Sequence, residues 1–153
     1  MMRRYGQPAI AGLRYRHRPG VYALLPRDGR LLVTFQAEPV PEVQFPGGGI
    51  DPGEATVRAL HREVFEETGW SIARPRRIGS FRRFAWMPDY DFWAEKVCHL
   101  YVARPVRRLG PPLEAGHSAL WLTPDEALDR LDNPGERDAL ARFVQTSARF
   151  STR

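Results

Sequence analysis

Cysteine and lysine are nearly absent from this chain of 153 residues, which contains one of each, Cys98 and Lys96. A single cysteine cannot form a disulfide within the chain and fits a reducing compartment, so we expect a cytoplasmic location. Of the 23 basic residues all but Lys96 are arginines, and the planar guanidinium fork suits phosphate groups. The formal net charge of +5 therefore favours an anionic substrate or partner.

Long hydrophobic runs are also missing. Hydrophobic residues make up 42% of the chain, but no stretch approaches the ~18 apolar residues of a membrane helix. No apolar segment of the kind found in secretory signals stands near the first residue. Because no acidic residue precedes Asp28, residues 1–18 are predicted to form a loose basic arm, followed by one domain over residues 19–150.

A helix is predicted over residues 55–68, where apolar residues recur at helical spacing. Val57, Leu60 and Val64 share one stripe of this helix, and we interpret that stripe as part of the core. Gly69 is the expected C-cap, because glycine adopts the left-handed conformation that ends many helices.

Three carboxylates form a second stripe near the end of the same helix. Glu63, Glu66 and Glu67 stand at i, i+3 and i+4, where like charges cost about 0.2 to 0.5 kcal/mol per pair and the helix dipole opposes them. A cluster that costs stability in two ways generally serves another purpose. Carboxylates without Cys or His favour a hard cation, Mg²⁺, with Mn²⁺ as a substitute. His61 lies about 160° around the helix from Glu63 and is not expected among the ligands.

The spacing of these residues resembles the Nudix box, G-x5-E-x7-R-E-U-x-E-E-x-G-U, in which U is a bulky apolar residue. Every fixed letter is matched between Gly48 and Gly69, and chance gives such a match on the order of 10⁻⁸ per starting position at roughly 7% usage of each residue type. The one departure is Trp70, where the family favours Ile, Leu or Val; its apolar character keeps the packing role. The resemblance implies the Nudix fold, an α/β/α sandwich with a mixed β-sheet, and hydrolysis of a pyrophosphate bond.

The resemblance also implies roles for individual residues by position. Glu66 and Glu67 are expected to be catalytic as well as to bind metal. Arg62 is expected to orient the carboxylates through charge-assisted hydrogen bonds. Glu54 is either a favourable acid at the start of the helix or, as the family pattern implies, a support or weaker ligand. The expected metal ligands are Gly47, through its carbonyl, Glu63, Glu66 and Glu67.

Two further predictions concern residues outside the box. Many family members supply another carboxylate from a loop before a strand that contains tryptophan, and Glu114, ahead of Trp121, is the candidate for this ligand or base; a merely solvated acid is the alternative. Arg82, Phe84 and Trp86 alternate along a predicted strand, where they could hold phosphate and stack a base. Ordinary cross-strand packing explains these three residues equally well.

Three other polar residues are weaker candidates. Glu95 and His99 share one face of a predicted strand and are interpreted as cross-strand partners. His117 falls in a predicted loop over residues 107–116 or just after it, where it is either a general acid or a bystander.

The remaining predicted elements come from turn signals and apolar runs. Asp28-Gly29 between two apolar runs predicts a hairpin. Glycines 47–49 are expected to let the backbone approach a ligand closely, with a tight turn as the alternative. Strands are predicted at residues 43–46, 75–87, 92–106 and 119–122, and helices are predicted to begin at Pro124 and Pro134, since proline is favoured in the first turn.

The function that the resemblance favours is a Mg²⁺-dependent Nudix hydrolase acting on a nucleoside diphosphate linked to another group. The alternatives are a sanitising nucleoside triphosphate pyrophosphohydrolase, an enzyme of RNA 5′ ends or dinucleoside polyphosphates, and a non-catalytic module that binds nucleotide or RNA. Residues 44–54 resemble the RNA 5′-end and dinucleoside subgroup. That subgroup also has a tyrosine at a distance beyond the box that falls here on residues 86–88 and not on Tyr90. We expect a nucleotide substrate, no DNA or membrane partner, and a monomer or homodimer.

Overall fold

Two β-sheets and three helices make up the fold in the computed structural model, which describes residues 2–147. None of the helices within this range is long and apolar enough to cross a membrane. The elements, in chain order, are β1 Arg3–Tyr5, β2 Arg16–Leu24, β3 Pro26–Arg27, β4 Arg30–Gln36, β5 Glu42–Gln44, β6 Gly47–Gly49, α1 Thr56–Thr68, β7 Trp70–Met87, β8 Phe92–Arg108, β9 His117–Leu122, α2 Pro124–Arg130 and α3 Pro134–Thr146.

The larger sheet is mixed and has the strand order β1-β7-β8-β2-β6. The pairs β1–β7 and β2–β8 are parallel, whereas β7–β8 and β2–β6 are antiparallel. In the smaller, antiparallel sheet, β4 pairs with β9 along one edge and with β3 and β5 along the other. The hairpin predicted at Asp28-Gly29 is confirmed: Arg27 pairs with Arg30, and the two turn residues have φ values of 53° and 76°, as a type I′ hairpin turn requires.

Strand β2 shows how helices come to lie on both faces of the larger sheet. Val21 and Ala23 join the core cluster that contains the buried residues of α1. Tyr22 and Leu24, which point to the opposite face, join the cluster that contains residues of α2 and α3. The predicted α/β/α sandwich with a mixed sheet is therefore confirmed.

The buried face of α1 matches the predicted stripe except in its first turn. Leu60 and Val64 are fully buried, as predicted, but Val57 is 39% exposed, so its assignment to the core is wrong. The buried set includes Glu67, which lies about 20° from Leu60 around the helix, whereas Val57 lies about 60° from Leu60 on the other side. Thr68 lies about 80° from Leu60 on the same side as Val57 and is buried. The exposure of Val57 therefore reflects its position in the first turn of α1.

Trp70, the departure from the box pattern, begins β7 directly after the helix. Gly69 ends α1 in the left-handed conformation, with φ 78°, as predicted. The Trp70 ring packs edge-on against Trp121 at 5.2 Å between centroids, and the Arg27 guanidinium lies 5.2 Å from the Trp70 ring centre. The apolar packing role is thus kept.

Four expectations about strands need correction. The arm is not loose throughout, because Arg3–Tyr5 pairs with β7 and the Tyr5 hydroxyl donates to Asp138 of α3. The alternative of a tight turn at glycines 47–49 is wrong, because these residues pair with β2 as a strand; their close approach to a ligand stays a prediction. β7 and β8 are longer than predicted, and β9 begins at His117 because its pairing with β4 extends to Gln36. The domain boundaries at 1–18 and 19–150 stay predictions.

Candidate active site

Arg62 is the centre of an ion-pair network at the start of the acidic stripe. Its guanidinium donates to both carboxylate oxygens of Glu54 at 2.8 and 2.9 Å, to Glu63 at 2.9 Å and to Glu66 at 3.2 Å. It also donates to the Gly49 carbonyl at 3.1 Å. One planar side chain therefore fixes carboxylates from different turns of α1 relative to β6, as expected.

Glu54 serves this network and not the acid cluster. Hydrogen bonds from Arg62 are the main reason why the pKa of Glu54 is lowered to about 2, and the Asp51 N–H adds a further bond to its carboxylate. Of the two roles considered for Glu54, the structure shows that of a support: its carboxylate holds the Arg62 guanidinium in place.

Gly48 creates the space in which the Glu63 carboxylate sits. A Cβ on Gly48 would lie 2.6 Å from the Glu63 carboxyl carbon, a distance that real Cβ atoms do not tolerate. Gly47 is equally restricted, because its Cβ would lie 2.1 Å from the Val21 carbonyl oxygen. Gly48, the first glycine of the box, is therefore required for the position of the carboxylate of Glu63, an expected metal ligand on α1.

Glu67 is the most buried of the three acids, at 4% exposure. Its Oε1 accepts the Gly47 N–H at 2.8 Å. Burial raises the pKa of Glu67 to about 9, with a further contribution from the charge of Glu63. The pKa of Glu63 is raised as well, mainly by burial. Ligation by the Gly47 carbonyl stays a prediction; the structure shows the role of its N–H.

Glu114 approaches the acids from the loop that follows β8. The N–H groups of Leu113 and Glu114 both donate to the Glu66 carbonyl, at 2.8 and 3.0 Å, and so tie this loop to the end of α1. Two groups of side chains place their donor atoms within 4.8 Å of one another. These groups are Glu63, Glu66 and Glu114, and Glu67, Glu114 and His117.

His117, for which a general acid and a bystander were the two alternatives, lies beside the acid cluster. Its ring is 5% exposed, with Nδ1 2.9 Å from Thr34 Oγ1 and 3.5 Å from Glu67 Oε2. His61 is exposed on α1, which agrees with its predicted exclusion. His99 contacts Arg77 on the larger sheet, and burial lowers its pKa.

These residues fit a divalent cation. Four carboxylates converge from α1 and one loop, and burial raises the pKa of two of them, Glu63 and Glu67, although Arg62 is hydrogen-bonded to Glu63. A bound cation would offset this effect of burial, and oxygen donors are the ligands that Mg²⁺ and Mn²⁺ prefer.

A cleft of about 230 Å³ opens beside the acids. Gly47 and Glu67 line one wall, and Arg18, Lys96 and Tyr90 line others. The Arg18 guanidinium lies 4.9 Å from the centre of the Tyr90 ring. The cleft thus combines an acidic end, two cationic side chains and an exposed aromatic ring.

An adjoining recess of about 250 Å³ shares Tyr22, Gln44, Lys96 and Cys98 with this cleft. Its polar lining includes Arg83, Asn133 and the buried Glu136. Burial raises the pKa of Glu136 to about 8 and that of the Cys98 thiol to about 11.

The structure does not bring Arg82, Phe84 and Trp86 to this cleft. Their strand neighbours Arg83, Ala85 and Met87 line the cleft and the recess, and side chains alternate along a strand. On the opposite face Arg82 lies 4.0 Å from Glu95, Phe84 packs against Tyr15, and Trp86 packs against Trp93. These contacts are those of ordinary cross-strand packing, and Glu95 is the cross-strand partner of Arg82.

Arg18, Tyr90 and His117 are the residues of the site that sequence reasoning missed or set aside. The alternation in β7 correctly identified two faces, but nothing in the sequence tells which face meets the acids. Only for His117 did the sequence contain a usable signal. Its position alternates with Ala119 and Trp121, so the three residues share one face if the predicted strand extends back to His117.

Comparisons with known proteins give the following similarities. The family model described as NUDIX domain matches residues 15–143. The chain is 30% identical over 100 residues to an 8-oxo-(d)GTP phosphatase of Mycolicibacterium smegmatis, which is 65% of this chain and 29% of that protein. It is 49% identical over 41 residues to an RNA pyrophosphohydrolase of Escherichia coli, which is 27% of this chain and 23% of that protein. The chain spans less than half the length of the curated relatives it matches.

The fold is shared with solved structures. A NUDIX hydrolase from Nitrosomonas europaea aligns with a TM-score of 0.69 and 20% identity, over 84% of this chain and 88% of that one. At this identity the likeness is one of fold.

Proposed function

This chain belongs to the NUDIX family, and from this membership we propose that it is a Mg²⁺-dependent hydrolase of a pyrophosphate bond in a nucleoside diphosphate linked to another group. The observation that supports the proposal is the position of the acid cluster at the end of the cleft. A phosphate chain that reaches Glu67 from the cleft leaves its nucleoside near Arg18 and Tyr90, where a cation and an aromatic ring are available.

The residues of the chain divide the work as follows. Arg62 holds Glu63 and Glu66 in place, and the Gly47 N–H holds Glu67. When bound, a divalent cation lowers the pKa of a water and neutralises charge on the phosphates. Glu114, whose side chain is 49% exposed at the edge of the cluster, is our candidate to accept the proton from the attacking water.

The recess beside the cleft supports a second candidate, a nucleoside triphosphate pyrophosphohydrolase. Gln44, Arg83 and Asn133 offer hydrogen-bond donors and acceptors there, and such groups could read the edge of a base. The name of the Mycolicibacterium smegmatis relative points in the same direction. Action on an RNA 5′ end rests on a match of 41 residues, and we rank it third.

A substrate panel tests these candidates. We would incubate the protein with Mg²⁺ and nucleoside triphosphates, 8-oxo-dGTP, dinucleoside polyphosphates, nucleoside diphosphate sugars and 5′-triphosphorylated RNA. Products would be resolved by chromatography. The proposal predicts a nucleoside monophosphate and a phosphorylated second product from a nucleoside diphosphate linked to another group, with loss of activity in EDTA and recovery with Mg²⁺.

Hydrolysis in ¹⁸O-labelled water provides the chemical control. Attack on phosphorus places the label on a phosphate product and none on ribose. Nucleotide binding without turnover of any substrate, unaffected by EDTA, would contradict the proposal and support the non-catalytic module. The cytoplasmic location and the monomer or homodimer stay predictions.

A further inference from the structure

Positive charge is concentrated in the long hairpin formed by β7 and β8. These two strands contain nine of the 23 basic residues of the chain but only one of its 18 acidic residues, Glu95. The hairpin therefore has an excess of eight positive charges, whereas the rest of the chain has a net charge of −3. A general preference for arginine explains the number of basic residues but not this separation of the two signs.

Arg76 and Arg104 project from the same face of the hairpin. Arg104 lies opposite Ala73, and Arg76 lies opposite Val102; residues directly opposite in a strand pair share a face. Ala73 and Arg76 are three positions apart, so a regular strand would place them on different faces. The register shift between them brings Arg76 to the face of Arg104. Val102 packs against the core cluster of α2 and α3, so this is the face on which α3 lies.

Arg107 and Arg142 extend this set. Arg107 lies opposite Ser71, which shares a face with Ala73 because the two are alternate residues of β7. Arg142 is on α3, across a groove from Arg76. We call Arg76, Arg104, Arg107 and Arg142 the arginine row. All four are exposed, and within residues 2–147 only Arg142 of the four is paired with an acid, Asp138, at 4.0 Å.

The groove between the hairpin and α3 has a volume of about 160 Å³. Arg76 and Arg142 line it together with apolar side chains that include Ile78, Leu100 and Phe143. An apolar wall with an aromatic ring can take a base, and guanidinium groups can bind the phosphates on either side of that base. The groove shares no residue with the cleft or the recess near the acid cluster.

A second recess lies beside Arg104 and is also lined by Arg27 and Asp28. The Arg27 and Asp28 side chains pair with each other at 3.7 Å, so these two residues add no net charge. The positive potential of this face therefore comes from the arginine row itself.

We propose that the arginine row and the groove beside α3 bind the sugar-phosphate backbone of a single RNA strand. Guanidinium groups that lack acidic partners favour a ligand with regularly repeated phosphates. The row follows one hairpin, whose strands lie about 4.8 Å apart, and so narrow a surface suits one strand better than a duplex. An anionic membrane is the alternative, but its binding uses protruding apolar side chains, whereas Leu100 in the groove is buried. The inference goes beyond the proposed function and requires neither metal nor turnover.

Fluorescence anisotropy of a labelled single-stranded RNA tests the proposal. A strand of about 12 nucleotides falls within the usual site sizes, and EDTA in the buffer excludes binding through metal at the acid cluster. The combined variant Arg76→Gln, Arg104→Gln and Arg107→Gln should weaken binding by at least about 10-fold at low salt. It should also lower the slope of log Kd against log salt by about 2, because each phosphate contact to a single strand contributes about 0.7.

The matched control removes the same charge from other exposed positions. The combined variant Arg14→Gln, Arg58→Gln and Arg130→Gln changes exposed arginines of the arm, α1 and α2. It should keep the RNA affinity within about 2-fold of wild type and retain the salt slope. Circular dichroism checks that both triple variants are folded.

Three results would overturn the proposal: no RNA binding by the wild-type protein at low salt, an equal loss in the two triple variants, or sedimentation with phosphatidylserine vesicles that depends on the row while RNA binding does not. If the triple variant of the row fails to fold, Arg104→Gln decides the question, because one lost contact should lower the slope by about 0.7. A protein that binds RNA through the row but hydrolyses no substrate would contradict the proposed function and leave this inference standing.

Discussion

Gly48 and Glu63 are complementary: the glycine has no side chain where the carboxylate of Glu63 lies, and an added Cβ would sit 2.6 Å from that carboxyl group. The two residues are fifteen positions apart in the chain but adjacent in space. Gly48 therefore affects the site by leaving the space in which the Glu63 carboxylate lies.

Gly48→Ala should displace the Glu63 carboxylate and weaken divalent metal binding by roughly 10- to 100-fold, with a corresponding loss of hydrolysis. Gly110→Ala is the matched control, because a Cβ at Gly110 meets no atom within 4 Å. Metal titration of both variants, with circular dichroism as a check of folding, measures the effect. Equal metal affinity in the two variants would show that Glu63 does not need this space.

Glu67→Gln should reduce kcat by roughly 10²- to 10⁴-fold while the fold is retained, since an amide oxygen can still accept the Gly47 N–H. Without metal the variant should be more stable than wild type at pH 8. The buried carboxyl, with a pKa near 9, holds its proton in the folded state, whereas an unfolded carboxyl has lost it. Near-normal turnover would refute the assignment of Glu67 to the catalytic site.

Glu136 should make metal-free stability depend on pH. Its carboxylate accepts the Phe45 N–H at 2.6 Å, and its pKa is raised by burial to about 8 from an ordinary value of 4.5. Between these two pH values the folded state holds a proton that the unfolded state has released, so the free energy of unfolding falls as pH rises. For one group the slope cannot exceed about 1.4 kcal/mol per pH unit.

Urea denaturation of Glu136→Gln in EDTA at pH 5 and pH 8 tests this dependence. The variant should be less sensitive to pH than wild type and more stable than wild type at pH 8. The remaining slope comes from the other groups with shifted pKa values, Glu67, Glu63 and His99. Parallel curves for the two proteins would mean that Glu136 is ionised in the fold.

Tyr90, and not Trp86, should affect nucleotide binding. Tyr90→Ala should cost about 1 to 3 kcal/mol in kcat/KM, the usual size of a base–aromatic stack, with the loss in KM. Trp86 packs on Trp93 at 5.6 Å between ring centroids, on the face away from the cleft, so Trp86→Ala should leave KM within about 2-fold and lower stability instead. A larger rise in KM from Trp86→Ala would show that the base is recognised by the face of β7 that carries Arg82, Phe84 and Trp86, as the sequence predicted.

The sequence determined the features that local geometry fixes. Helical spacing places Arg62 beside Glu66 and joins the three acids in one stripe, and the Arg62–Glu66 ion pair follows from it. The Asp28-Gly29 pair likewise determined its hairpin, because Asp-Gly favours the type I′ turn, which has positive φ at both central positions. These relations need no knowledge of the rest of the fold.

The tertiary structure alone decided which faces meet. Periodicity fixes how side chains are arranged around one element, but not which neighbour each face contacts. For this reason Val57 was assigned to the core, and the predicted substrate residues Arg82, Phe84 and Trp86 lie on the face of β7 away from the cleft. His117 enters the site because β9 pairs with β4 up to Gln36, a contact between residues 81 positions apart. Such pairings depend on how sheets and helices pack together, and no local sequence pattern encodes them.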